Sequence, residues 1–360
     1  MSKTNEKKGF GSFLARKNII FSGKRYGIDA LSAMAQGLFA SLLIGTIVST
    51  LGAQLGIEFL VTVGNYTKST YVVGAAMAIS IGYALQAPQL VLFSLVSVGA
   101  AANEMGAAGG PLAVLVIAVI AAECGKAVSK ETRVDILVTP FVTIVTGVFL
   151  SLWCAPAIGS AAARVGDLVM WATELQPFFM GILVSVIVGI ALTLPISSAA
   201  ICAALGLTGL AGGAAVAGCC AQMIGFAVMS FRENAWGGLV SQGLGTSMLQ
   251  MGNIVKNPRI WIPPTLASAI TGPIATCLFR FQMNGAAISS GMGTCGLVGQ
   301  IGVYTGWVND IAAGTKAAIT ALDWLAMALI CFILPAVLSV LFYGILRKAG
   351  WIREGDLTLS

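Results

Sequence analysis

The chain contains no histidine. That absence removes imidazole acid–base chemistry and phosphohistidine intermediates, and it removes the commonest metal ligand. Charge is scarce as well. Asp, Glu, Lys and Arg together make up 9% of the 360 residues, where soluble domains carry about 25%. No Cys-x-x-Cys pair occurs among Cys124, Cys154, Cys202, Cys219, Cys220, Cys277, Cys295 and Cys331. Nearly all of these thiols sit among apolar or small residues and read as packing groups. Without histidine they offer no good ligand set for zinc or haem. No catalytic residue, cofactor or metal site is expected. No short apolar core with a small-residue cleavage site opens the chain, so no cleavable signal peptide is read.

What is present is apolar surface. Hydrophobic residues make up 57% of the chain, and its mean hydropathy is +0.91. The reading is an all-α polytopic membrane protein embedded in a lipid bilayer. The 44 glycines and many alanines suit helices that approach closely in lipid, where packing rather than the hydrophobic effect drives association. The net charge of +6 matters less than its placement. Lys3, Lys7, Lys8, Arg16, Lys17, Lys24 and Arg25 precede the first apolar run, and Arg347, Lys348 and Arg353 follow the last. Basic flanks stay on the cytoplasmic side. Both termini are therefore expected there, with an even number of full crossings. The basic leader is read as topogenic, and no nucleic acid is expected as a partner.

Residues 1–28 read as a cytoplasmic leader and 29–155 as an N-terminal membrane half. From Tyr71 to Ala102 the apolar run exceeds the ~20 residues of one straight crossing. Gln86, Pro88 and Gln89 interrupt it. Two short spans joined there, or one span and a re-entrant segment, both fit. A loop of mixed charge from Glu123 to Asp135 is placed in the cytoplasm. Residues 156–176, with Arg164, Asp167 and Glu174, read as an amphipathic connector. The C-terminal membrane half takes 177–346, and 347–360 form a cytoplasmic tail. Counting the runs gives about ten membrane-crossing segments plus re-entrant hairpins.

The stretch 231–303 breaks the apolar pattern. It is rich in amides, hydroxyls and glycines and poor in charge. Loose backbone in a membrane survives only inside protein or beside a water-filled cavity. The stretch therefore reads as the lining of a polar substrate site, with water-exposed loops as the alternative. Candidate solute-binding residues are Glu233, Asn234, Gln242, Thr246, Gln250, Asn253, Asn284 and Ser289. Asn103 and Glu104 join them from a similar glycine-rich corner. Amides donate and accept hydrogen bonds without charge, as a hydroxyl-rich ligand requires. Helix–helix amide bonding is the structural alternative for the asparagines and glutamines. A salt bridge from Arg232 is the alternative for Glu233. Segments 231–253 and 284–296 are expected to meet around one cavity.

Several runs resemble a known family: Ala107-Ala108-Gly109-Gly110-Pro111, Val134-Asp135-Ile136-Leu137-Val138-Thr139-Pro140, Thr193-Leu194-Pro195-Ile196-Ser197-Ser198-Ala199-Ala200, Gln242-Gly243-Leu244-Gly245-Thr246-Ser247-Met248-Leu249-Gln250, and Asn257-Pro258-Arg259-Ile260-Trp261-Ile262-Pro263-Pro264. They are similar to the enzyme IIC type-2 membrane family, whose members are sugar permease subunits of the bacterial phosphotransferase system or PfoR-like regulatory proteins. The resemblance covers nearly the whole chain after residue 20. It implies a glucose-type enzyme IIC fold, a homodimer formed through the N-terminal half, and an elevator-like movement of the C-terminal half. It also implies residence in the bacterial inner membrane. Well-studied enzyme IIC proteins place a His and a Glu near the sugar hydroxyl that receives phosphate, and this chain has no His. The residues after Leu346 hold no IIA or IIB domain, so such subunits are expected as separate chains.

The function expected is a permease for a small, polar, sugar-like solute. A ligand-sensing membrane regulator of PfoR type shares the same site but predicts no flux. A membrane-embedded enzyme lacks a nucleophile–base pair to support it. As an enzyme, the chain is at most the permease subunit of a sugar phosphotransferase system.

Overall fold

The structure is a computed structural model, and residues 10–359 are described. Lys3, Lys7 and Lys8 lie outside the described residues. Within them the chain is helical, with no strand beyond a lone antiparallel bridge between Gly209 and Met283. Five stretches are long and apolar enough to cross a membrane: Arg25–Ala53, Gln89–Val128, Asp135–Thr173, Gly209–Met229 and Ala321–Lys348. Shorter apolar helices, Thr70–Ala84 and Pro177–Thr193, add to them. This is a membrane protein.

The first half opens with α1 (Phe10–Arg16) and the long α2 (Arg25–Ala53). Then come α3 (Glu58–Thr67), α4 (Thr70–Ala84), α5 (Gln89–Gly106), α6 (Gly110–Val128) and α7 (Asp135–Thr173). Helix α4 stops where Gln86 takes a positive φ of 54° and Pro88 caps α5. The interruption at Gln86–Gln89 is thus a turn between two helices. The run Gln89–Val128 also folds back on itself. At its centre Ala107 has φ 44°, and Gly125 lies against Val91 while Gly110 lies against Asn103. Helices α5 and α6 are therefore an antiparallel pair. Gly74 and Gly99 bring the backbones of α4 and α5 into contact that any Cβ would obstruct, which is the use of small residues in lipid.

Helix α7 runs for 39 residues, about 58 Å at 1.5 Å per residue. Of residues 156–176, expected as a connector, 156–173 continue it as helix past Pro156. Its Phe141, Val145, Phe149 and Leu152 lie exposed on one side, at the spacing of a single apolar stripe.

The second half packs α8 (Pro177–Thr193), α10 (Gly209–Met229), α13 (Ile262–Pro273) and α15 (Ala321–Lys348) into a bundle. Helix α10 is its axis, since nearly every residue from Gly212 to Met229 is buried. Pro263 and Pro264 sit in the first turn of α13, where missing N–H groups cost nothing. Gln222 on α10 accepts from Trp261 Nε1 at 3.0 Å and donates to Thr265 Oγ1 at 3.2 Å. This satisfies polar groups inside the bundle.

Two hairpins enter this bundle from one end. Helix α8 starts level with Thr276, whose hydroxyl donates to Pro177 O at 2.8 Å. It runs inward to Thr193, the chain turns through 194–197, and α9 (Ser198–Ala204) leads back. The second hairpin starts beside the Gly209–Met283 bridge. It turns inward through Ala287–Gly291 and Cys295–Leu297 and returns along α14 (Val298–Ala312).

The opposite end carries most of the basic residues. Arg25 Nη2 and Lys126 Nζ both donate to Leu85 O, at 2.5 and 3.1 Å. Lys126, only 1% exposed, also pairs with Glu123 at 2.9 Å. A buried ammonium requires such partners. Helices α11 (Phe231–Val240) and α12 (Met251–Lys256) lie at this end too, because Gly252 packs on Ile28 and Ser32.

Candidate functional site

The hairpin tips fix the site. Ser198 Oγ donates to Gly291 O at 2.8 Å, and Ser290 Oγ donates to Leu207 O at 2.6 Å. Ser197 caps α9 by accepting from Ala200 N at 3.2 Å, and its own N–H donates to Ala108 O at 2.8 Å. That last bond ties the first hairpin to the glycine-rich corner of the N-terminal half.

A cavity of about 640 Å³ opens between the halves at this point. From the second half it is lined by residues 196–200, Gly245, Thr246, Met248, Met292 and Cys295. From the first half come Leu38, Leu42, Lys68, Thr70, Asn103, Glu104, Ala107 and Pro111, among others. The walls are mainly apolar, with a few polar groups converging, as in small-molecule sites of ~300–1,000 Å³.

The polar groups differ in how free they are. Asn103 donates from Nδ2 to Thr70 O at 2.8 Å, which holds the end of α5 to the start of α4. Thr246 accepts from Met248 N at 3.1 Å. Lys68 Nζ donates to Ser49 Oγ at 3.0 Å. Glu104 is exposed, and its Oε1 accepts from the exposed Tyr71 hydroxyl at 2.6 Å. Ala107, with φ 44° and ψ −118°, holds a strained backbone on the cavity wall, a feature that collects at ligand sites.

Of the residues singled out from sequence, Asn103, Glu104 and Thr246 line this cavity. The two polar stretches touch where Thr294 Oγ1 donates to Gly243 O at 2.5 Å. The other candidates lie elsewhere. Glu233 Oε2 accepts from Leu357 N at 3.0 Å and from Thr358 Oγ1 at 2.9 Å. Asn234 Nδ2 donates to Leu357 O, and Leu359 N donates to Asn234 Oδ1, both at 2.8 Å. Gln250 Nε2 donates to Gln242 Oε1 and to Leu357 O, both at 2.9 Å. Asn253 Nδ2 donates to Gln250 Oε1 at 2.8 Å and to Thr358 O at 2.9 Å. These amides hold the tail segment at the basic end.

Asn284 sits at the far end. Its Nδ2 donates to Asp310 Oδ2 at 2.8 Å, in a separate cavity of about 420 Å³ with Arg280, Lys316 and Asp323. Ser289 is buried against Gly302. Sequence reasoning missed Lys68, Thr70, residues 196–200, Met292 and Cys295. The run Thr193–Ala200 carries a usable signal. Pro195 ends one helix, and Ser197 caps the next after only a few residues, which marks a chain reversal inside an apolar region.

A family model described as "Phosphotransferase system, EIIC" matches residues 28–359, almost the whole chain. No curated protein and no solved structure gives a match.

Proposed function

The chain belongs to the phosphotransferase system EIIC family, and from that premise we propose that it is a membrane permease for a small, polar, sugar-like solute bound in the cavity between its halves. The observation that carries this reading is the meeting of two inward hairpins, through Ser198 and Gly291, at the wall of that cavity. Non-helical backbone of this kind belongs where it lines a substrate path. Glu104 is the group freest to bind a solute hydroxyl, because its Tyr71 partner is exposed and replaceable. Movement of the hairpin-bearing half against the first half, in elevator fashion, carries the solute across. Separate IIA and IIB subunits supply phosphate, and residues 29–155 form a homodimer interface. The gathering of Lys17, Arg25, Lys126, Lys256 and Arg347 around one end supports a cytoplasmic placement of that end in a bacterial inner membrane.

The test uses purified protein in vesicles with a panel of sugars and polyols. Saturable binding and uptake are expected, with Glu104→Gln weakening binding by about 1–3 kcal/mol. Binding without flux supports a ligand-sensing regulator instead. Absence of any binding across the panel refutes the cavity as a solute site.

A further inference from the structure

The polar cluster at the basic end holds the tail largely through its backbone. Asn234 donates to the carbonyl of Leu357 and accepts from the N–H of Leu359, both at 2.8 Å. That is the pairing a neighbouring β-strand would make. Glu233 takes the Leu357 N–H at 3.0 Å, and Asn253 takes the Thr358 carbonyl at 2.9 Å. Leu357 itself is 0% exposed and Ile352 is 1% exposed. Further along, Asn257 Nδ2 donates to Trp351 O at 3.1 Å and to Asp356 Oδ2 at 2.7 Å, and Arg259 lies over the Trp351 ring at 5.3 Å. Residues 354–357 form a turn between the two anchors, and backbone hydrogen bonds around buried apolar anchors are the chemistry of a peptide site.

The same amides lead to the cavity. Gln250 holds both Leu357 and Gln242, and Gln242 also donates to Ser230 Oγ at 2.8 Å. Gln242 precedes Gly243, whose carbonyl accepts from Thr294 on the second hairpin. Thr294 precedes Cys295, which lines the cavity and is only 2% exposed. The turn between Gln242 and Gln250 supplies Gly245, Thr246 and Met248 to the cavity wall.

We propose that α11, α12 and the segment between them form a binding site for a turn-forming peptide anchored by two apolar side chains, filled in cis by residues 351–359 with Ile352 and Leu357 as the anchors, and that its occupancy holds the cavity wall against the second hairpin. The tail is a positioning latch.

The test follows alkylation of Cys295 by a maleimide in the full-length protein, read by peptide mass mapping. Leu357→Asp places a carboxylate in the buried anchor pocket and frees the tail, which proteolysis within 351–359 reports. Alkylation of Cys295 should then accelerate about tenfold, the size of an ordinary coupling between two sites. Asn234→Ala, a milder change, should give the same direction and serves if Leu357→Asp cannot be purified. A synthetic peptide of residues 351–360, added in excess to the Leu357→Asp protein, should restore the slow rate. The same peptide with Asp at position 357 should not. A released tail with an unchanged Cys295 rate overturns the coupling. Failure of the native peptide to restore the slow rate overturns the peptide site.

Discussion

Gly291 packs directly on the backbone of the first hairpin, and its replacement tests the role of both hairpins. A Cβ placed there would lie 2.5 Å from Ser198 O, 2.6 Å from Ser198 C and 2.8 Å from Ala199 N. All of these are backbone atoms, so no side chain can rotate away. Gly291→Ala must part the tips or bend one of them. Overpacking of this kind costs roughly 1–3 kcal/mol. The bond from Ser198 Oγ to Gly291 O, now 2.8 Å, is strained or lost with it, adding about 1 kcal/mol. The expected destabilisation is therefore about 2–4 kcal/mol. Gly344→Ala is the control. It lies in α15 with nothing within 4 Å of its added Cβ, and Ala is favoured over Gly in a helix by about 1 kcal/mol. Thermal unfolding of both variants in detergent, with solute binding alongside, separates the cases. Gly291→Ala should unfold earlier and lose solute affinity, while Gly344→Ala should match or exceed the parent. A Gly291→Ala protein as stable as the parent, with full affinity, would falsify the packing of the tips and their place at the site.

Two further outcomes are expected. Asn103→Leu removes the 2.8 Å bond to Thr70 O and leaves that carbonyl without this donor, so it should cost about 1–3 kcal/mol; unchanged thermal stability would rule out this tie. Glu131 is held below its usual carboxylate value first by the hydrogen bond from Lys17, with Arg16 and Lys17 charges adding to it. Because its folded value is lowered, its contribution is full above the ordinary value near 4.5 and fades as pH falls through the lower folded value. Hydrogen exchange of residues 10–17 should therefore rise with acid in the parent but hold steady over that window in Glu131→Gln; identical profiles would remove the pair from the account.

The membrane class was legible because composition alone excludes a soluble domain. The break at Gln86–Gln89 and the start of α13 at Pro263–Pro264 were legible because proline has a local backbone effect. The glycine-rich corner before Pro111 was legible, but not that the reversal turns on Ala107. It uses a non-glycine residue at positive φ, which no propensity favours. Nor did the sequence tell that residues 156–173 extend α7. Helix continuation past Pro156 depends on contacts with the corner, where Gly109 packs on Ile158 and Gly159. Of the candidate residues, Asn103, Glu104 and Thr246 reached the cavity, each beside a glycine-rich turn.

The amides that did not reach it followed the same rule for a different partner. A polar side chain in apolar surroundings must be satisfied, but the rule does not say by what. Gln250 and Asn253 are satisfied by main-chain carbonyls of Leu357 and Thr358, more than a hundred positions along the chain. That separation exceeds any local pattern. The residues that do face the cavity include Ala199, Ala200, Met248 and Met292, which look like ordinary packing residues in sequence. A solute site in such a wall gains its polarity from backbone ends and a few side chains rather than from a band of amides. Under the proposed function Glu104 carries much of the selectivity, since Ser198, Thr246 and Asn103 hold backbone partners while its own partner, Tyr71, is exposed. A ligand hydroxyl that displaces Tyr71 from Glu104 exchanges one hydrogen bond for another, while a ligand without one that takes the place of the Tyr71 hydroxyl leaves the carboxylate without that donor. Under the proposed function, that single exchangeable bond is what favours hydroxyl-bearing solutes.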